Sequence, residues 1–386
     1  MKRSAPARVA VTLLFLSLAA GSCAEGRTVA IGDIHGAYDQ FVAILQTAGL
    51  VDKDLSWTGG KTILVQTGDE VDRGPRSRGA MDLLMGLMEK ASAQGGEVRP
   101  LLGNHETMVM MGDLRYVTAE GYAEFAAPDS AKRCESEFQH YVQYRAERAG
   151  RFKQPPPQVD KQAWLAAHPP GYFEYRDALA PSGKYGAWLR QRDAITQVGD
   201  VLFLHGGLSP ASPLKSVKQI NETVHREIKE LDDLWARLSK KGVLWPYLNI
   251  EEAQKEAKAE WDAGGGNGNG DLQTFLNLGA LNIISPDGPL WYRGFSMDPE
   301  SMLAPEIDKI LKHFKVHYVV VGHTIPNSRR ITPRFDGHVF LIDTGMLVSW
   351  FQGRPSALEI NDDHFQALYV GEAPQALAGG GSGKGK

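Results

Sequence analysis

At 386 residues, 42% hydrophobic and 23% charged, the chain has the makeup of a globular enzyme with room for one large domain or two small ones. A net charge of −4 speaks against nucleic acid as a general partner, because a phosphate backbone is held by a basic surface. The two cysteines, Cys23 and Cys134, lead to no expectation of an internal disulfide in the mature chain.

Residues 1–24 read as an export signal. Lys2, Arg3 and Arg8 precede an apolar run over residues 9–20, followed by the small residues Gly21 and Ser22. The run is shorter than the roughly 20 apolar residues that span a bilayer. Two processing routes stay open. Ala20-Gly21-Ser22-Cys23 is an imperfect lipoprotein box that would lipidate Cys23, and only then would a membrane be a partner. Cleavage after Ala24 would instead give a soluble periplasmic protein. The second is favoured, since a first strand at Arg27 leaves a lipid almost no tether.

Residues 27–31 (RTVAI) predict a strand stopping at Gly32-Asp33. Residues 38–50 have helical spacing, with Phe41, Ile44, Leu45 and Ala48 on one face. A second strand at 61–67 ends at Gly68-Asp69, a helix covers 77–93, and a third strand at 98–102 ends at Gly103-Asn104-His105. Residues 113–190 are helical and carry no readable motif; their aromatic residues Tyr116, Tyr122, Phe125, Tyr141 and Tyr144 are expected either to line a pocket or to pack helices. A hairpin follows, with strands at 194–198 and 201–204 around Gly199-Asp200, and leads into His205-Gly206-Gly207. Residues 215–280 are again helical and charged, broken by the glycine-rich run at 264–270. A buried strand at 316–321 ends at Gly322-His323-Thr324, further strands are expected at 338–343 and 348–360, and a disordered tail from 373. The organisation expected is one α/β domain (mixed α+β) over 25–372, with 113–190 and 215–280 as cap insertions.

Five polar blocks sit at strand ends, where ligands of such sheets gather. They are Gly32-Asp33-Ile34-His35-Gly36, the run from Gly68 to Gly74 (GDEVDRG), Gly103-Asn104-His105-Glu106, His205-Gly206-Gly207 and Gly322-His323-Thr324. A lone Asp-x-His is weak evidence, but five such blocks in order are a specific signal. Carboxylates, imidazoles and an amide without thiolate suit Mn, Fe or Zn, with Mn favoured, over iron–sulfur or copper(I) centres. Two divalent ions bring four positive charges; Asp33, Asp69 and a bridging hydroxide remove three, and the surplus suits a phosphate dianion.

These blocks resemble the signature of the PPP-type phosphoesterases of the calcineurin-like metallophosphoesterase superfamily. GDEVDRGP, GNHE followed by Met111-Gly112-Asp113-Leu114-Arg115-Tyr116, and Pro289-Leu290-Trp291-Tyr292-Arg293-Gly294 resemble the Shewanella-like protein phosphatases within it. The resemblance covers roughly residues 27–360 and implies a mixed β-sandwich flanked by helices. It also implies that Asp33 and His35 bind a first metal, that Asp69 bridges, and that Asn104, His205 and His323 bind a second. Arg73 and Arg293 resemble phosphate-clamping arginines, and His105 a general acid held by Asp72. The toxin-sensitivity motif of eukaryotic Ser/Thr phosphatases is absent; Leu341-Ile342-Asp343-Thr344-Gly345 stands there instead and resembles the symmetrical diadenosine tetraphosphate hydrolases as well as the Shewanella-like enzymes. The activity implied is that of a two-metal phosphomonoesterase acting on phosphorylated protein or small phosphoesters. Phosphotyrosine is the preferred substrate expected, a metal-bridging hydroxide the nucleophile, and dinucleoside polyphosphate hydrolysis the alternative.

Overall fold

The computed structural model describes residues 26–264 and 270–379. The expected export segment with Cys23, residues 265–269 of the glycine-rich break and residues 380–386 lie outside them. Among the described residues no helix is long and apolar enough to cross a membrane.

The chain opens with β1 (Arg27–Ile31), α1 (Tyr38–Thr47), β2 (Ile63–Gln66), α2 (Ser77–Ser92), β3 (Glu97–Pro100) and α3 (Asn104–Met110). A first run of helices follows: α4 (Ala119–Ala123), α5 (Ser130–Arg151), α6 (Lys161–Ala167), α7 (Tyr172–Leu179) and α8 (Lys184–Leu189). After β4 (Ile195–Val198) and β5 (Val201–Leu204) comes a second run: α9 (Val217–Lys240), α10 (Ile250–Ala263) and α11 (Gly270–Leu276). The remainder is α12 (Gly294–Met297), α13 (Glu300–Phe314), β6 (Tyr318–Val321), β7 (Thr332–Arg334), β8 (Val339–Leu341) and α14 (Val348–Phe351). Last come β9 (Ser356–Asn361), β10 (His364–Tyr369) and β11 (Gln375–Leu377).

The strands form two mixed sheets, one ordered β11-β10-β9-β1-β2-β3 and the other β4-β5-β6-β8-β7. β1, β2 and β3 pair in parallel in the first, and β5, β6 and β8 in the second. Apart from β3 (EVRP), an edge strand with Glu97 exposed, their short apolar runs suit strands covered on both faces. Ala30, Val65 and Leu358 of one sheet meet Phe203, Val320 and Phe340 of the other. The outer face of the first sheet is covered by α1 and α2, that of the second by α13. The two helical runs share a separate apolar cluster, in which Tyr144, Tyr175, Leu231 and Phe275 are buried. The fold is the expected mixed sandwich flanked by helices.

Three expectations need correcting. Residues 348–351 form a helical turn, and the strand begins only at Ser356. Gln352 is left-handed (φ 54°), and Gly353 is pressed so closely on the backbone of Thr344 that a Cβ would lie 2.0 Å from its carbonyl oxygen. A strand cannot run through that contact. The tail is ordered at its start, because Gln375–Leu377 pairs with β10 as an edge strand. α1 stops at Thr47, before Leu50, since Gly49 (φ +64°) turns the chain toward the Val51–Trp57 bridge.

Candidate active site

Six parallel strands, three from each sheet, deliver the polar blocks to one place. Asp33 follows β1, Asp69 follows β2, Asn104 and His105 follow β3, His323 follows β6 and Asp343 follows β8; all line a cavity of about 200 Å³. His205, after β5, is fully buried behind it, with Nε2 3.0 Å from Asn104 Oδ1 and 3.3 Å from Asp69 Oδ2.

The loops can crowd together because glycine stands at their contacts. A Cβ on Gly103 would lie 2.1 Å from Asp69 Oδ1, and one on Gly322 would lie 2.5 Å from Asp33 Oδ1. The non-glycine residues beside them carry the strain. His35, Asp69, Asp72, Arg73 and His323 all have positive φ, between 48° and 72°. Such conformations persist only where the surroundings over-determine them.

Each imidazole is aimed by a hydrogen bond at one ring nitrogen. His35 Nδ1 lies 2.9 Å from the Val71 carbonyl, His205 Nδ1 2.8 Å from that of Thr67, and His323 Nε2 3.1 Å from that of Trp291. Donor atoms of His35, Asp69 and His105 lie within 4.8 Å of one another, as do those of Asp69, His205 and His323. Asp69 belongs to both groups. Asp33 Oδ2 is 3.8 Å from His35 Nε2.

The electrostatics fit a cation centre. Burial, then the charge of Asp343, pushes the Asp33 carboxyl well above its usual range. Burial also lifts Asp343, to about 6. Asp69 is buried too, but His205, His105 and His35 outweigh that and hold it well below the usual range. His205 rises to about 9, since Asp69 and Asp33 overcome its burial. Buried carboxylates that cannot all ionise in the company of oriented imidazoles make up a donor set that bound cations would complete. These buried His/Asp clusters are consistent with a binuclear metal site.

Residues 26–327 match the calcineurin-like phosphoesterase family. The chain belongs to that family. It is 26% identical over 349 residues to Shewanella-like protein phosphatase 1 of Plasmodium berghei, covering 89% of this chain and 74% of that one. It is 32% identical over 199 residues to Shewanella-like protein phosphatase 2 of Arabidopsis thaliana, about half of each chain (51% and 50%). The crystal structure of a cold-active protein-tyrosine phosphatase from a psychrophilic Shewanella species shares the fold. Its TM-score is 0.58 at 24% identity, covering 91% of this chain and 80% of that one.

In this phosphoesterase the two expected arginines reach the cavity. Arg73 touches His35 Nε2 and lies between two rings, 4.9 Å from the centroid of Tyr116 and 5.3 Å from that of Phe351. Arg293 bonds the His323 carbonyl at 3.0 Å and the Thr324 hydroxyl at 2.9 Å. His105 Nδ1 is 2.5 Å from Asp72 Oδ2, and its Nε2 is 3.9 Å from Asp69 Oδ2, on the cavity side.

Sequence reasoning gave no role to three residues of the site. Asp343 repeats the pattern of strand then aspartate and could have been found by it. Phe351 is a cavity neighbour that only the fold reveals; of the aromatic residues weighed as pocket lining, Tyr116 stands at the site, whereas Tyr122, Phe125, Tyr141 and Tyr144 pack in the helical cluster. Glu106 is the third: its buried carboxyl accepts the backbone N–H groups of Asp69, Glu70 and Gly103, each at 2.8 Å, and that of Val71 at 3.3 Å. It staples the second block to the third. Unpaired buried donors cost about 1–3 kcal/mol each. Glu106→Ala is therefore expected to destabilise the fold by about 3 kcal/mol or more, and Glu106→Gln by less. Urea unfolding at fixed metal concentration checks this; equal midpoints for Ala and wild type would refute the staple.

Proposed function

We propose that this phosphoesterase is a two-metal phosphomonoesterase with a preference for phosphotyrosine in proteins. The observation that carries the reading is Asp69, shared by two ligand clusters while the guanidinium groups of Arg73 and Arg293 open on the same cavity. Asp33, His35 and Asp69 would hold one ion, and Asp69, Asn104, His205 and His323 the other. Bound divalent cations, manganese being the favoured pair, would supply Lewis acidity and a water acidic enough to attack phosphorus at neutral pH. Arg73 and Arg293 bring donor forks that match the remaining phosphoryl oxygens. As the ester P–O bond breaks, His105 Nε2 gives its proton to the departing oxygen while Asp72 holds Nδ1.

The preference for an aryl ester rests on the cavity walls. The Tyr116 ring lies 5.1 Å from His105 and the Phe351 ring 5.6 Å from His35. Beside Phe351 stands Trp350, 54% exposed. Edge or offset contacts between such rings are worth about 0.5–1.5 kcal/mol each. In a Mn²⁺-supplemented panel, a phosphotyrosyl peptide is expected to exceed phosphoseryl and phosphothreonyl peptides in kcat/KM. Phe351→Ala should narrow that margin by about 2- to 10-fold, mainly through KM. Faster turnover of diadenosine tetraphosphate than of every phosphopeptide would make the enzyme a dinucleoside polyphosphate hydrolase instead.

A further inference from the structure

Two buried polar atoms, one on the first helical run and one on the residue that holds the candidate acid, have no partner among the described residues. Tyr175, on α7, is 1% exposed, and its hydroxyl makes no hydrogen bond among the described residues. Asp72 is 2% exposed, and while Oδ2 is taken by His105, Oδ1 has no partner there either. A buried carboxylate oxygen and a buried phenol left unpaired are each costly, by about 1–3 kcal/mol, and such pairs are commonly bridged by an ordered water. The phenol has one proton to give, and the carboxylate only accepts.

Tyr175 is held where it can serve. Its ring stands edge-on to Tyr122 at 5.3 Å and to Phe125 at 5.0 Å, and Val71, next to Asp72, packs in the same apolar cluster. Arg176 fixes α7 from the other side, bonding the carbonyls of Leu248 at 3.0 Å and Pro246 at 3.1 Å. Burial first, and then the charge of Asp72 ahead of any other neighbour, keeps the phenol well above its usual range. It therefore stays a donor.

We propose that Tyr175 is a positioning residue, its hydroxyl donating to Asp72 Oδ1 through one bridging water. Asp72 is thereby kept in the orientation in which Oδ2 holds His105. This rests on the reading of His105 as proton donor. It gives the helical insertions a share in the chemistry, because α7 is tied both to the acid and, through Arg176, to the segment before α10.

Tyr175→Phe removes the hydroxyl and keeps the ring contacts. Rates are measured at full Mn²⁺ loading on an alkyl phosphate and on p-nitrophenyl phosphate, together with metal content and unfolding midpoint. The expected result is a loss of about 10-fold on the alkyl ester, little change on p-nitrophenyl phosphate, and unchanged metal content. In an Asp72→Asn background the same change should add nothing, because the two groups act as one unit. Tyr122→Phe, which alters a neighbouring phenol, should leave the ratio between substrates as it is. Wild-type rates for Tyr175→Phe, equal losses on both esters, or additivity with Asp72→Asn would each overturn the proposal. Should Tyr175→Phe lower the unfolding midpoint, the double-mutant comparison still decides, since lost packing adds to Asp72→Asn whereas a lost hydrogen bond to it does not. His105→Asn is run in parallel. If it shows no dependence on the leaving group, the acid assignment falls and this inference with it; if it does and Tyr175→Phe does not, only the inference falls.

Discussion

Asp69→Asn is expected to abolish activity while leaving the fold intact. Asp69 Oδ1 accepts the His105 backbone N–H at 2.9 Å, and Oδ2 faces His35 at 3.5 Å and His205 at 3.3 Å. An amide can keep the first contact through its oxygen. It then turns an NH₂ group toward the imidazoles, where a shared ligand needs an anionic oxygen. The substitution is also clean in the backbone. Asp69 sits at φ 60°, a region that asparagine tolerates, whereas alanine there would add strain to the lost ligand. The loss should be on the order of 10³-fold or more, beyond the roughly 10²–10³ that follows removal of a single transition-state donor. Metal analysis of the purified variant should find less than two ions per chain, and thermal unfolding should remain cooperative. Wild-type enzyme should lose activity to a chelator and regain it with Mn²⁺. Full activity in exhaustively chelated, metal-free wild type would end the two-metal reading.

Why the metal cluster was legible in the sequence, and its walls were not, follows from the fold. Asp33, Asp69, Asn104, His205 and His323 each come shortly after a strand, and a glycine beside each marks the strand's end locally. The parallel strands then fix where those ends meet. Tyr116 reaches the cavity from an irregular segment and Phe351 from the single turn of α14, and no local pattern encodes either approach. Val348, Trp350 and Phe351 are residue types that favour strands, and a strand is expected over 348–360; one helical turn closed by Gln352 and Gly353 overrides that preference and sets Phe351 beside His35. Tyr175 was invisible for a related reason. A tyrosine on an amphipathic helix reads as core, and its orphan hydroxyl is apparent only once Asp72 is seen to have a free oxygen.

The sharpest test of the chemistry concerns His105, whose geometry fits two roles. A carboxylate-backed imidazole 3.9 Å from Asp69 can be a metal ligand or a proton donor. Leaving-group dependence separates them. Negative charge gathers on the departing oxygen as the ester bond breaks, and a proton is needed most when that oxygen is strongly basic, as in an alkyl phosphate. The p-nitrophenolate ion leaves readily without one. A positioned acid contributes roughly 10²–10⁴-fold, so His105→Asn should lose about that much on alkyl phosphates and at most about 10-fold on p-nitrophenyl phosphate, with both metals retained. Asp72→Asn should shift rates in the same direction by less, because the imidazole remains but is held more loosely at Nδ1. A ligand role gives a different pattern: His105→Asn would bind less metal and slow every substrate alike. Equal losses across leaving groups at full metal loading would remove the proton donor and leave His105 as a group that holds the phosphoryl oxygens.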